Sequence, residues 1–170
     1  MITLIEIFSF LILIVSIAYI FSMNITNDFK KNLKISLIAT SPAVFFHELF
    51  HKIFAISFGY AATFHIFTPG LILGVILKLV NSPFLIIAPG FVSISNVTND
   101  LQYRLIAFAG PFANLLLFLT ALLILKYKDN LSEKQLTILH LTKRINLLLL
   151  IFNMIPISPL DGAKVLFGLS

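Results

Sequence analysis

The chain has 170 residues, of which 59% are apolar and only 11% charged, and its mean hydropathy is +1.03. A soluble domain carries about 25% charged residues, so this chain cannot coat a soluble globule, and disorder, collagen-like repeats and a nucleic-acid-binding domain are excluded as overall descriptions. The 12 Lys and Arg against 7 Asp and Glu leave a net charge of +5, which in so apolar a chain reads as membrane topology and headgroup contact, not as a nucleic-acid footprint.

The first apolar run, Ile2 to Met23, supplies the roughly 20 residues that a transmembrane helix needs. A cleavable signal peptide fits it poorly, because no Lys or Arg precedes the run and no small-x-small site follows it. Glu6, near its start, is expected to reach the headgroups. A polar link, residues 24–34, holds Lys30, Lys31 and Lys34. The second span runs from about Ile35 to Phe58 and contains Pro42, which either kinks the helix or marks a break near its start.

Residues 59–100 are apolar but punctuated by Gly59, Pro69, Gly70, Gly74, Pro83, Pro89 and Gly90. Two pieces emerge, Leu71 to Val80 and Phe84 to Ser95, separated by a turn at Asn81-Ser82-Pro83. Each is short for a spanning helix and contains β-branched residues. They are read as strands or a re-entrant hairpin that must pack on protein, because open backbone in lipid is costly. One broken helix is the alternative reading.

The third span covers about Tyr103 to Lys126 and contains Gly110-Pro111-Phe112-Ala113-Asn114. A charged link with Lys126, Lys128, Asp129, Glu133 and Lys134 follows. The fourth span begins at about Leu136 or Ile145, ends at Ile157, and leads into Pro159-Leu160-Asp161-Gly162. No internal repeat is visible. The expected architecture is one membrane domain, residues 1–170, with an all-α core of about four transmembrane helices (2–23, 35–58, 103–126, 136–157) and a short membrane-associated β-hairpin or re-entrant segment over 60–96.

Chemistry concentrates in His47-Glu48-Leu49-Phe50-His51. Residues four apart on a helix share one face, one turn apart, so both imidazoles can point at one metal ion with Glu48 on the same rim. That arrangement suits a zinc-activated water beside a carboxylate general base. Three ionisable side chains inside an apolar helix also mark function on energetic grounds, since a charge at the bilayer centre costs at least about 2.5–3.5 kcal/mol. With no cysteine in the chain, any third ligand must be His, Asp or Glu. The candidates are His65, Asp100, His140 and Asp161. His65 reads as a surface or hairpin histidine, Asp100 as solvated and His140 as interfacial. Asp161 follows an apolar span on an irregular Pro/Gly backbone, from which a carboxylate can reach a metal held on a neighbouring helix.

These residues resemble the site-2 proteases, intramembrane zinc metalloproteases. Three motifs stand in the same order: His47 to His51, then Gly110 to Asn114, then Asn153-Met154-Ile155-Pro156-Ile157-Ser158-Pro159-Leu160-Asp161-Gly162, which resembles N-x-x-P-x-x-P-L-D-G and is the most specific. The likeness covers about residue 35 to the end. Phe58-Gly59-Tyr60 through Pro69-Gly70, with Ala88-Pro89-Gly90, looks closest to compact archaeal members. No PDZ or CBS domain accompanies it, so substrate gating by such a module is not expected.

The resemblance implies one Zn²⁺ per chain held by His47, His51 and Asp161, with Glu48 as general base and proton shuttle. It implies that Asn114 faces the active centre to bind substrate or the developing oxyanion. Asn153 would position the Asp161 loop or make an interhelical hydrogen bond. The segment 60–96 would present a strand edge to an unwound transmembrane substrate. The partners implied are a transmembrane protein substrate and the lipid bilayer, with no nucleic acid. Rival readings are a metal or proton transporter, with buried His and Asp lining an ion path, and a catalytically silent relative that binds membrane proteins. Intact Glu48 argues against the second rival. The links 24–34 and 126–135 carry the larger basic excess, which the positive-inside rule would make cytoplasmic. The resemblance implies the opposite, a site opening to the cytoplasm across a prokaryotic cell membrane, and that orientation is the expectation adopted.

Overall fold

A computed structural model describes residues 3–22, 26–82 and 89–169. Helix α1 spans Leu4–Ile20, α2 Phe29–Ala39 and α3 Ser41–Ser57; strand β1, Ala62–Ile66, precedes helix α4, Thr68–Leu79; strand β2, Gly90–Ile94, precedes α5, Asp100–Tyr127; α6, Glu133–Asn153, and the short α7, Asp161–Phe167, close the chain.

Among the described residues three helices are long and apolar enough to cross a membrane: Phe29–Ser57, which joins α2 and α3, then Asp100–Tyr127 and Glu133–Asn153. Of the first expected span, α1 occupies 17 residues; Ile2 and Met23 lie outside the described residues. One face of α1 packs inward through Phe10, Leu13, Ile17 and Ile20, while Leu4, Ile5, Phe8 and Val15 are exposed on the other. A helix apolar all round whose outer face meets no protein is suited to lipid. In α6 Asn146 is the only buried side chain among the described residues, and the apolar run Leu147 to Phe152 leaves Leu147, Leu148 and Ile151 exposed.

Pro42 does interrupt the second span. It sits in the first turn of α3, where its missing N–H is tolerated, and Thr40 separates α2 from α3. The buried hydroxyls at the break are partnered: Thr40 Oγ1 donates to the Ser36 carbonyl at 2.7 Å, and Ser41 Oγ to the Ile14 carbonyl of α1 at 2.9 Å. The fourth span stops at Asn153, four residues earlier than expected. Pro156 supplies no N–H and biases the residue before it away from helix.

The punctuated segment differs from its expected form. Leu71 to Val80 is not a strand; it lies almost wholly within α4, which Pro69 opens and whose Gly70, Leu71 and Gly74 face inward. A short apolar run has no period that separates strand from helix. Here buried small residues at i and i+4 decide for helix. The hairpin is real but wider: β1 pairs antiparallel with β2 in the register Ala62↔Ile94, Phe64↔Val92 and Ile66↔Gly90, with α4 between the strands. Pro83 and most of the second expected piece, 84–88, lie outside the described residues. A Cβ at Gly90 would lie 2.6 Å from the Phe64 ring, so glycine is needed where β2 begins. One face of the sheet, Phe64 and Val92, packs with Phe10, Leu13, Ile17 and Val44; Ala62 and Ile94 pack with Ala55 and Ile106.

Glu6 does not reach the headgroups. It is 2% exposed and forms an ion pair with Lys52 of α3, itself buried. The first turn of α1 is a capping box in which the Thr3 N–H donates to Glu6 Oε2 at 2.9 Å, which turns the carboxylate inward. At the other end of α1, Lys78 of α4 donates to the Ser22 carbonyl at 2.9 Å and lies over the Tyr19 ring.

Candidate metal centre

The apolar stripe of α3 is interrupted on its inner face by His47, Glu48, His51 and Lys52, all buried. The i, i+4 spacing stacks the two imidazoles one turn apart, with ring centroids 4.8 Å apart. Helix α5 crosses this face at Gly110. A Cβ there would collide with His51 Nε2 and lie 2.7 Å from His47 Nε2, so only glycine permits the approach. Pro111 removes the N–H that would bond the Ala107 carbonyl, loosening the turn whose Ile106 carbonyl meets His51 Nδ1 at 2.7 Å.

Asp161 comes from the opposite side. After α6 ends, the chain turns through Pro156 and Pro159 and starts α7 with Asp161-Gly162. A Cβ at Gly162 would lie 2.6 Å from the Ile155 carbonyl oxygen and collide with the Met154 carbonyl, so glycine lets α7 nest on the end of α6. The Asp161 oxygens are divided. Oδ1 accepts from Lys164 Nζ at 3.3 Å, and Oδ2 lies 3.1 Å from His47 Nε2 and 3.2 Å from His51 Nε2.

The outer hydrogen bonds fix one nitrogen of each ring. The Ile106 carbonyl can only accept, so His51 Nδ1 carries a hydrogen, and in the neutral ring Nε2 then holds the lone pair. His47 Nδ1 faces Asn114 Oδ1 at 2.7 Å. Asn114 donates both amide hydrogens elsewhere, to the Ala43 carbonyl at 3.0 Å and to Asn146 Oδ1 at 2.9 Å, and Asn146 in turn donates to the Thr142 carbonyl. Asn114 therefore presents oxygen, and His47 Nδ1–H donates to it. Both Nε2 atoms are left as acceptors, 3.2 Å apart, facing a carboxylate oxygen.

With both rings neutral, three buried acceptors lie 3.1–3.2 Å apart, an arrangement that a shared proton or a metal ion satisfies. Two neutral imidazoles and a carboxylate are a zinc donor set, and tetrahedral bonds of about 2.0–2.1 Å place ligand atoms about 3.3 Å apart. His47, His51 and Asp161 are the group of His, Asp and Glu side chains that could hold a metal among the described residues. Outer hydrogen bonds to the ligand rings fix their orientation.

Glu48 is 7% exposed and lies within electrostatic reach of His47, Asp161 and Lys164; among the described residues its carboxylate accepts no hydrogen bond. The other candidate ligands lie elsewhere. His65 is exposed on β1 with its ring against Phe91. Asp100 opens α5 and pairs with Arg104 at 2.6 Å. His140 is exposed on α6. Asn114, expected to face the active centre, lies on the far side of the His47 ring from Asp161 with its amide committed to protein groups. Asn153 donates to the Leu149 carbonyl of its own helix at 3.0 Å.

Two residues that sequence reasoning passed over matter here. Asn146 is 0% exposed and completes the chain from His47 through Asn114; the signal was a lone amide in the apolar run Ile145 to Leu150. Lys164 orients Asp161, and its i, i+3 spacing from that residue was the available sign.

No family model matches the chain, and no solved structure does. A curated protein of Methanocaldococcus jannaschii, named "Putative zinc metalloprotease", is 40% identical over 163 residues, which are 95% of this chain and 83% of that one. A likeness of that extent, with a buried His47, His51 and Asp161 centre beside Glu48, places the chain in this zinc metalloprotease family.

Proposed function

We propose that the protein is an intramembrane metalloprotease of the site-2 type, hydrolysing peptide bonds of transmembrane substrates. The observation that carries this is the three-acceptor centre of His47, His51 and Asp161, set with Glu48 among helices whose outer faces are apolar. Zinc bound there would supply a polarised water and a Lewis acid for the scissile carbonyl. Glu48, whose carboxylate accepts no hydrogen bond among the described residues, would serve as the general base toward a water held there and would return that proton to the departing nitrogen as the C–N bond gives way to the new C–O bond. Asn114 and the Ile106 carbonyl hold the imidazoles in the tautomer that leaves Nε2 free.

A substrate helix hides its scissile bond in its own hydrogen bonds, so it must be cut as an extended segment. The sheet offers a place for one. Ser95 N–H donates to the Ala61 carbonyl and Phe67 N–H to the Pro89 carbonyl. In this antiparallel register the polar backbone groups of Gly90, Val92 and Ile94 therefore aim away from β1. Nothing among the described residues pairs with them, and an unwound substrate can add there as a third strand.

The test is purification in detergent, elemental analysis for zinc, and incubation with a synthetic transmembrane peptide. The reading expects zinc in both the native protein and Glu48→Gln, with cleavage by the native protein alone. Metal flux in proteoliposomes without any cleavage would turn the reading towards a transporter.

A further inference from the structure

One helical step beyond the ligand His51, Lys52 is 1% exposed, as buried as any side chain of its size in the molecule. Its ammonium joins three elements. It pairs with Glu6 Oε1 of α1 and donates to the Ala62 carbonyl of β1 at 2.6 Å. Glu6 Oε1 also accepts the Phe64 N–H at 2.8 Å. Ala62 and Phe64 are two of the three β1 residues, with Ile66, whose backbone groups point away from β2. The pair therefore occupies the outer edge of β1, one charge on a carbonyl and the other on an N–H, as a neighbouring strand would. The sheet has two edges, and charge-assisted bonds anchored on the metal-binding helix close one of them.

We propose that Glu6 and Lys52 are positioning residues for substrate: their ion pair closes the β1 edge and ties the sheet to α3, so that an extended peptide enters only at β2, at a fixed offset from His47 and His51. This rests on the reading of the β2 edge as the substrate strand site. A strand added at β2 lies about 4.8 Å from it, and about twice that from β1. A displacement of about 1 Å at the reacting atoms can cost about 10²-fold in rate, so a sheet tied to the helix that carries two ligands is how such a peptide is held in register.

The test uses the absence of native cysteine. In full-length protein carrying Glu48→Gln, which holds the peptide uncut, single cysteines are placed by Ser93→Cys on β2 or Thr63→Cys on β1, both exposed positions. The probe is a synthetic transmembrane peptide with one cysteine beside its scissile bond. Disulfide formation is expected to favour Ser93→Cys over Thr63→Cys by about fivefold or more. In Glu6→Leu/Lys52→Met, which removes both charges together and leaves neither buried alone, that preference is expected to collapse with zinc content unchanged. With Glu48 intact, the same double variant is expected to show kcat for the peptide lowered about tenfold or more while KM changes less. If that double variant does not fold, Glu6→Gln/Lys52→Met again removes both charges, keeps an oxygen for the Phe64 N–H and carries the same expectations. A folded, zinc-loaded variant with native preference and native kcat overturns the positioning role, as does loss of zinc from both variants. No cross-link through Ser93→Cys in the chain with Glu6 and Lys52 intact overturns the substrate-edge reading itself, and this inference with it.

Discussion

Helix α3 carries two buried polar clusters on one face, and their proton inventories differ. At Lys52 the cation belongs to the chain: its ammonium meets Glu6 and the Ala62 carbonyl, and the Phe64 N–H meets the same carboxylate. One turn back, His47 and His51, as neutral rings, and Asp161 bring three acceptors together. The first cluster is complete within the protein. The second is completed by a cation that the chain does not itself supply, whether proton or metal ion. Burial and charge are alike in the two; what separates a metal centre from a structural ion pair is whether the chain itself supplies the positive partner.

The sharpest break of this comparison is at Glu48, which belongs to neither cluster's hydrogen bonds. Glu48→Gln is expected to lower peptide cleavage by about 10²–10⁴-fold with zinc content unchanged by elemental analysis; equal cleavage by the variant would remove Glu48 from the chemistry. Next comes the self-contained cluster. Lys52→Met leaves Glu6 buried without its partner and is expected to cost about 3–5 kcal/mol, read as unfolding in detergent. Glu6→Leu/Lys52→Met is expected to regain most of that loss, and a double variant as unstable as the single one would argue against a balanced pair. Asn114→Ala removes the acceptor behind His47 and is expected to weaken zinc affinity by about 10–100-fold, measured by competition with a chelator. An unchanged affinity would mean that the ring is oriented by packing alone. The smallest effect is expected at Arg104, which donates to the Val165 and Leu166 carbonyls at the end of α7. Arg104→Ala is expected to cost at most about 1 kcal/mol of stability, the scale of an exposed ion pair; a large loss of zinc instead would show that the far end of α7 governs Asp161.

The candidate metal ligands, which the fold brings together, were legible because their chemistry is local or their motif specific. His47 and His51 lie one turn apart on any helix, and Asp161 stands on a Pro/Gly backbone that no span could contain. Leu71 to Val80 was not legible, since a short run of apolar residues packs equally well as strand or helix, and the inward-facing Gly70 and Gly74 settle it only when the neighbouring helix is in place. Glu6 misled for a related reason. An acidic residue near the start of an apolar run fits a headgroup environment, and nothing within those residues announces a lysine 46 positions away.

By itself the sequence determined an apolar, helix-rich chain with an H-E-x-x-H turn and a carboxylate placed to serve as third ligand, because helical periodicity and residue chemistry act over a few positions. The tertiary structure decided which groups meet. Gly110 lets α5 come close enough to touch both imidazoles, Asn114 and Asn146 set the His47 tautomer, and the Glu6–Lys52 pair closes one edge of a sheet whose strands are separated by a helix. Each of these depends on distances between elements far apart in the chain, and those distances are set by packing.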